Sequence, residues 1–176
     1  MNYLIAILAC FVTVSFLLKV GFFSTKGLVA VGIVFAIFTL CVTPRMTELS
    51  HDVFLQITTT KEILLNVAVC MVLESVIMIA FCFTCPSKKW LYSLLHIYPG
   101  LLVIPALCYF QAQLLYLLPG VDFKLTAWVT ALLAFMTVVG GSKLFNQLLG
   151  GRQARLEMLF IVNLLIIMLC IVITGY

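Results

Sequence analysis

Three residues at intervals of four, Asn66, Cys70 and Glu74, place polar side chains in an otherwise apolar segment of the chain. In an α-helix this spacing aligns them on one face. A carboxyl group inside such a segment is costly to place in a lipid bilayer, so it must face other helices, a cavity or a partner protein. Asn163 belongs to a later apolar segment, at a similar predicted depth, and is the partner that we expect for Glu74. These four residues predict a polar seam inside a helical bundle.

Glu74 and His96 are also the candidates for proton exchange. Carboxyl and imidazole groups form the proton relays of membrane proteins. Such relays usually contain several ionisable groups, whereas this chain offers one acid near the predicted midplane of the membrane and one histidine closer to its cytoplasmic side. A proton pathway centred on Glu74 is therefore one interpretation. Hydrogen bonding that holds helices together is the other.

Two further pairs of small residues have an informative spacing. Gly140 and Gly141 remove side-chain bulk from the fifth apolar segment, which lets another helix approach its backbone closely. Cys82 and Cys85 have the C-x-x-C spacing of redox and zinc sites. Such a site needs further thiols or a histidine beside the pair, so we expect these cysteines to pack as small apolar residues and to bind no metal.

The sequence contains no motif of a common enzyme class. It has no G-x-S-x-G, no H-E-x-x-H and no glycine-rich phosphate loop, so we predict neither enzymatic activity nor a cofactor. The formal net charge of +4 comes from ten Lys and Arg spread over several connections. That distribution is typical of membrane topology signals and not of a nucleic-acid surface. Lys143, Arg152 and Arg155 are close in sequence and could contact anionic lipid or an acidic loop of a partner protein.

Six apolar segments must position these residues. Of 176 residues, 65% are hydrophobic and 9% charged, which is outside the range of soluble domains. One membrane-spanning helix takes about 20 residues, so the chain predicts an all-α polytopic membrane protein with one transmembrane bundle over residues 1–176. The expected spans are residues 3–23, 27–43, 63–85, 90–118, 123–148 and 154–174.

Between the second and third spans, residues 45–60 predict an amphipathic interfacial helix. Apolar residues recur there at helical spacing, and polar residues fill the other face. Thr43 and Pro44 resemble an N-cap followed by proline at the first helical position, so we expect a new helix to begin here. In the long fourth span, Pro99, Gly100 and Pro105 predict a bend.

The basic residues predict the orientation. With six spans, one side of the membrane receives seven Lys and Arg and the other side three. The first group is Lys19, Lys26, Lys88, Lys89, Lys143, Arg152 and Arg155, and the second is Arg45, Lys61 and Lys124. The positive-inside rule makes the first side cytoplasmic. Both termini and the amphipathic helix are then expected to face outward, which in a bacterial inner membrane means the periplasm.

The stretches YPGLLVIPALCYFQAQLLYLLPGVDF, which begins at Tyr98, and RQARLEMLFIVNLLI, which begins at Arg152, resemble a group of small polytopic inner-membrane proteins of Bacteroidota. Those proteins tend to be encoded beside ExbB- and ExbD-type proton-channel components. The resemblance covers the C-terminal half of the chain. It implies an accessory subunit of a proton-driven, TonB-ExbB-ExbD-like complex and carries over no functional residues. The chain lacks the cytoplasmic extension of ExbB and the periplasmic domain of ExbD or TonB.

We therefore expect an inner-membrane accessory or scaffold subunit, surrounded by lipid, that binds other membrane subunits, ExbB- or ExbD-like ones being the candidates. The alternative is a small proton-coupled transporter or a proton pathway centred on Glu74. A transporter requires a hydrated cavity that reaches Glu74. An accessory subunit requires a surface that another membrane protein can cover.

Overall fold

A computed structural model of the chain describes residues 2–48, 53, 54, 56, 60–83, 98, 100–117 and 122–175. These residues contain helices and no strands, which confirms the all-α prediction for the described part of the chain. The long helices are α1 (Asn2–Val20), α2 (Thr25–Glu48), α3 (Lys61–Phe83), α4 (Val103–Leu117), α5 (Phe123–Leu148) and α6 (Arg152–Gly175).

Five helices, α1, α2, α3, α5 and α6, are long and apolar enough to cross a membrane. Helix α4 has 15 residues. At a rise of 1.5 Å per residue it is about 22 Å long, which is shorter than the hydrocarbon core of about 30 Å. Residues 90–97, where we expected the fourth span to begin, lie outside the described residues. The length and composition of the described helices are thus those of a membrane protein.

Helix α2 differs from the prediction at its C-terminal end. It continues through Pro44 to Glu48, where the sequence predicted a break and a new helix. Proline removes one backbone hydrogen bond, and hydroxyl groups often compensate for such a loss in membrane helices. The bond that Pro44 removes is the one to the Leu40 carbonyl, whereas the Thr43 hydroxyl donates to the Thr39 carbonyl at 2.8 Å. Of the predicted amphipathic helix, residues 53, 54 and 56 are described and helical. Phe54 is buried there against the rings of Tyr109 and Tyr116 in α4.

Helix α1 occupies the centre of the bundle. Half of its span is buried, compared with 22–28% of each of the other four spans. One apolar cluster lies between α1 and helices α3, α4 and α6, and a second lies between α1 and helices α2, α4 and α5. Helices α3 and α6 pack along one another, as do α2 and α5. The apolar faces of these helices meet on α1, which therefore positions the polar groups of both halves.

Candidate functional site

Glu74 lies halfway along α3 and is connected to the start of α4. Its Oε2 atom accepts hydrogen bonds from the Tyr98 hydroxyl at 3.1 Å and from the backbone N–H groups of Leu101 at 3.1 Å and Leu102 at 3.0 Å. The first N–H groups of a helix have no partner within the helix, and a carboxylate near them is stabilised by the helix dipole. Glu74 therefore caps α4 from a different helix.

Gly100 allows this approach. Its φ is +103°, a conformation that residues with a Cβ atom rarely adopt. A Cβ atom placed there would lie 2.9 Å from Glu74 Oε1 and 3.1 Å from the end of Met78. The sequence predicted a bend at this position, and the structure adds that the bend exposes backbone N–H groups to an acid of α3.

Asn163 does not pair with Glu74 in the structure. Its amide nitrogen donates to the Ser15 hydroxyl at 3.0 Å and to the Leu159 carbonyl at 2.7 Å, so it joins α6 to α1. Asn163 and Glu74 nevertheless line the same small cavity, together with Ser15 and Ser75. Asn163 thus lies near Glu74, as expected, but the two do not form the expected hydrogen bond. The donors to Glu74 are instead the backbone N–H groups of Leu101 and Leu102.

Asn66 and Cys70 lie away from this site. Both side chains are exposed on the outer face of α3, whereas Glu74 is half-buried. The prediction of a continuous seam through Asn66, Cys70 and Glu74 therefore differs from the structure. The interval of four leaves successive residues a fraction of a turn out of register with a 3.6-residue helix. Over the two intervals from Asn66 to Glu74 the offset adds up, so Glu74 faces the bundle while Asn66 does not.

The two glycines of α5 have different surroundings. A Cβ atom on Gly141 would lie 2.9 Å from a methyl group of Leu17, whereas one on Gly140 would meet nothing within 4 Å. Both belong to a π-helical turn, Thr137–Gly141, which shifts the residues that follow it around the helix axis. The next residue, Ser142, is fully buried and donates to the Leu17 carbonyl at 3.0 Å. Close packing on α1 therefore involves Gly141 and not Gly140.

Polar side chains from α5 and α6 bind the C-terminal end of α1. Asn146 donates to the Gly21 carbonyl at 3.1 Å, and Arg155 donates to the same carbonyl at 3.0 Å and to the Asn146 carboxamide oxygen. The guanidinium group also stacks on the ring of Phe22. The sequence analysis assigned Arg155 to lipid or a partner loop. The structure shows that it binds the Gly21 carbonyl, one residue after the end of α1.

Lys19 is a buried residue that the sequence analysis counted as a topology signal at the membrane surface. It is fully buried, its Nζ atom lies 2.8 Å from the centroid of the Phe81 ring, and it has no hydrogen-bond partner in the described part of the chain. A lysine near the end of a span usually extends its amine to water. The position of Lys19 in the sequence gave no sign of its burial, because that burial depends on the packing of α3 over the side chain.

His96 and Cys85 lie outside the described residues, so their predicted roles stay predictions. Cys82 is half-buried, and its thiol donates to the carbonyl groups of Met78 and Leu156 at 3.4 and 3.5 Å. This thiol therefore packs between α3 and α6. In the described ranges, no three His, Cys, Asp or Glu residues are close enough together to hold a metal ion.

Two larger cavities have apolar walls. One of about 380 Å³ lies between α1, α2, α4 and α5, and one of about 420 Å³ lies between α1, α3, α4 and α6. The hydroxyl groups of Thr39 and Thr130 at the first cavity donate to carbonyl groups of their own helices. The Gln111 amide at the same cavity donates to Thr43 Oγ1 at 2.6 Å. The donor groups of these three side chains are therefore already used within the bundle.

The carboxylate of Glu74 thus connects α3 to the backbone before α4 and lines a small cavity. Comparisons with protein-family models, with curated proteins and with solved structures find no match for this chain. The function must therefore be argued from the surfaces and contacts of the molecule.

Proposed function

We propose that this chain is a membrane-embedded accessory subunit that binds other integral membrane subunits. The observation that supports this proposal best is the outer face of α3. Helix α3 packs along α6, and its opposite side carries exposed apolar residues together with the carboxamide of Asn66. A polar group on an exposed, otherwise apolar face of a membrane helix favours association with another helix.

The exposed residues of this face alternate at intervals of four and three, and we call them the α3 stripe. They are Glu62, Asn66, Val69, Leu73, Val76, Ala80 and Phe83. This is the a/d spacing of helices that pack side by side over their whole length. Asn66 occupies an a-type position, where a single asparagine sets the register between two helices. Among the described residues, its side chain has no hydrogen-bond partner. A partner helix with a polar group at the same depth would satisfy it.

The location that we propose is the bacterial inner membrane, with both termini in the periplasm and with ExbB- or ExbD-type subunits as the first partners to test. The resemblance of the C-terminal half to proteins encoded beside such components supports this choice. The contact of Arg155 with the Gly21 carbonyl also supports the orientation. It brings the basic end of α6 to the end of α1 that carries Lys19, as a shared cytoplasmic side requires.

A photo-crosslinking amino acid tests the α3 stripe. Leu73 on the stripe and Leu132 on α5 are exposed to a similar degree, 60% and 64%. The crosslinker at position 73 should capture a membrane protein in the native membrane, and the crosslinker at position 132 should capture lipid. Asn66→Leu should also reduce co-purification of that partner from gently solubilised membranes. Equal crosslinking at both positions, or a bare monomer in native mass spectrometry, would contradict the proposal.

The second candidate function is a proton pathway centred on Glu74. The observation that favours it is that Glu74 and Ser75 border a polar cavity within the bundle. This function predicts that Glu74→Gln abolishes proton flux into proteoliposomes while the protein stays folded. An accessory subunit, in contrast, should keep its partner after the same substitution. The two functions are therefore separated by one variant and two assays.

A further inference from the structure

Oxygen-bearing side chains from three helices surround a small cavity beside Glu74. The cavity has a volume of about 10 Å³, and Ser15 of α1, Glu74 and Ser75 of α3 and Asn163 of α6 all line it. The other lining residues are apolar. A volume of this size accommodates about one water-sized particle. The cavity therefore differs from the two larger ones in both size and chemistry.

Several oxygen atoms at this cavity have no donor within the described part of the chain. Glu74 accepts its three hydrogen bonds through Oε2, which leaves Oε1 without one. Asn163 forms its hydrogen bonds through the amide nitrogen, so its carboxamide oxygen is also left. Ser75 is only 2% exposed, and its hydroxyl forms no hydrogen bond with the described residues. Because these oxygen atoms border the cavity and have unused capacity to accept hydrogen bonds, a polar or charged occupant would be favourable there.

We propose that this cavity binds one small monovalent cation, for which Na⁺ is the reference ion. Carboxylate, hydroxyl and carboxamide oxygens are hard ligands that suit such an ion. A single positive charge neutralises the one carboxylate of the site and lowers the cost of keeping it within a low-dielectric bundle. Ca²⁺ takes six to eight oxygen ligands and Mg²⁺ keeps several waters, so a cavity for one particle suits neither ion.

The bound cation links three helices. Ser15, Glu74 and Asn163 belong to α1, α3 and α6, so an ion that contacts all three adds to the hydrogen bonds already present. Its role is to stabilise the folded subunit, and it does not depend on the proposed partner. A ligand that binds only the folded state raises the unfolding temperature. Once the ligand concentration exceeds the dissociation constant, this rise grows with the logarithm of the concentration.

The test is thermal unfolding of the full-length protein in detergent micelles with NaCl, KCl or choline chloride at constant ionic strength. We expect Na⁺ to raise the unfolding temperature by an amount that grows with the logarithm of its concentration once this exceeds the dissociation constant, and choline to produce no such rise. In Ser75→Ala, the Na⁺ concentration at which this rise begins should be about tenfold higher or more, which corresponds to at least ~1.4 kcal/mol of binding free energy. Ser142→Ala is the matched control, because Ser142 is equally buried but lies on α5 and donates to the Leu17 carbonyl.

The Ser142→Ala control should lower the unfolding temperature without changing the Na⁺ concentration at which the rise begins. Equal rises with all three salts would show a general salt effect, or a cavity that holds only water, and would overturn the proposal. An unchanged Na⁺ response in Ser75→Ala would overturn it as well. If Ser75→Ala does not fold, sodium-23 NMR relaxation of the wild-type protein is the second measurement. A specific site should keep its bound Na⁺ signal in excess choline. Loss of that signal would show only a weak salt effect and would overturn the proposal.

Discussion

Replacing Glu74 by leucine removes the acceptor that holds the start of α4, and we expect a large loss of stability. The backbone N–H groups of Leu101 and Leu102 and the Tyr98 hydroxyl all donate to Glu74 Oε2. Each buried donor left without an acceptor costs about 1–3 kcal/mol. The part-buried Leu102 N–H group therefore gives a loss of about 1–3 kcal/mol, to which the exposed Leu101 N–H group adds less. Within a bilayer, water is not there to replace the carboxylate.

Glu74→Gln separates the role of the acceptor from that of the acid. The glutamine carbonyl oxygen can accept the same two backbone N–H groups, so we expect a loss of only about 1–2 kcal/mol, the difference between a charged and a neutral acceptor. The assay is the free energy of unfolding in mixed micelles titrated with sodium dodecyl sulfate and followed by circular dichroism. The matched control is Asn66→Leu, which removes a polar side chain from the exposed face of the same helix.

We expect the isolated Asn66→Leu protein to remain within about 0.5 kcal/mol of the wild type, as is usual for a surface position. The reasoning is refuted if Glu74→Leu is as stable as Asn66→Leu. Gly100→Ala gives an independent check, because φ of +103° and the contact of 2.9 Å with Glu74 Oε1 both disfavour a Cβ atom. Gly100→Ala should therefore destabilise the protein. The part of this loss that comes from the φ angle should persist when Glu74 is also replaced by leucine.

Four further substitutions test the packing on α1 by the same unfolding assay. Gly141→Ala should cost about 1–3 kcal/mol because its Cβ atom would overlap the buried Leu17, whereas Gly140→Ala should be neutral or stabilising by up to about 1 kcal/mol. Equal effects of the two would contradict the close approach at only one glycine. Lys19→Met should stabilise the protein, because desolvation of an unpaired ammonium group costs several kcal/mol and one cation–π contact returns about 2 kcal/mol. A loss of stability in this variant would show that the amine has a partner. Asn163→Leu should cost about 0.6–1.7 kcal/mol, the usual range for one hydrogen bond between membrane helices, and no change would mean that its bond to α1 does not form.

The helices could be predicted from the sequence because their signal is local. A run of about 20 apolar residues is sufficient to indicate a membrane helix, whatever surrounds it. The exception is Pro44, which lies inside α2 although proline usually ends a helix. The bend at Gly100 was also predictable, because proline and glycine restrict or free the backbone directly.

The partners of the polar residues could not be predicted in the same way. The interval of four between Asn66, Cys70 and Glu74 is a property of one helix. Which of the three faces the bundle depends on where α6 and the bend before α4 lie against α3. Asn163 was expected opposite Glu74 by depth alone, but depth does not fix the direction in which a side chain points.

The sequence by itself determined that this protein is a bundle of apolar helices and that Glu74 must be shielded from lipid, because transfer free energy depends on composition. Only the tertiary structure decided that Glu74 caps α4, that Lys19 is buried on a phenyl ring and that Asn66 faces outward. These outcomes depend on the rotation of each helix about its axis. That rotation is set by packing between helices far apart in sequence, which hydrophobicity alone does not encode.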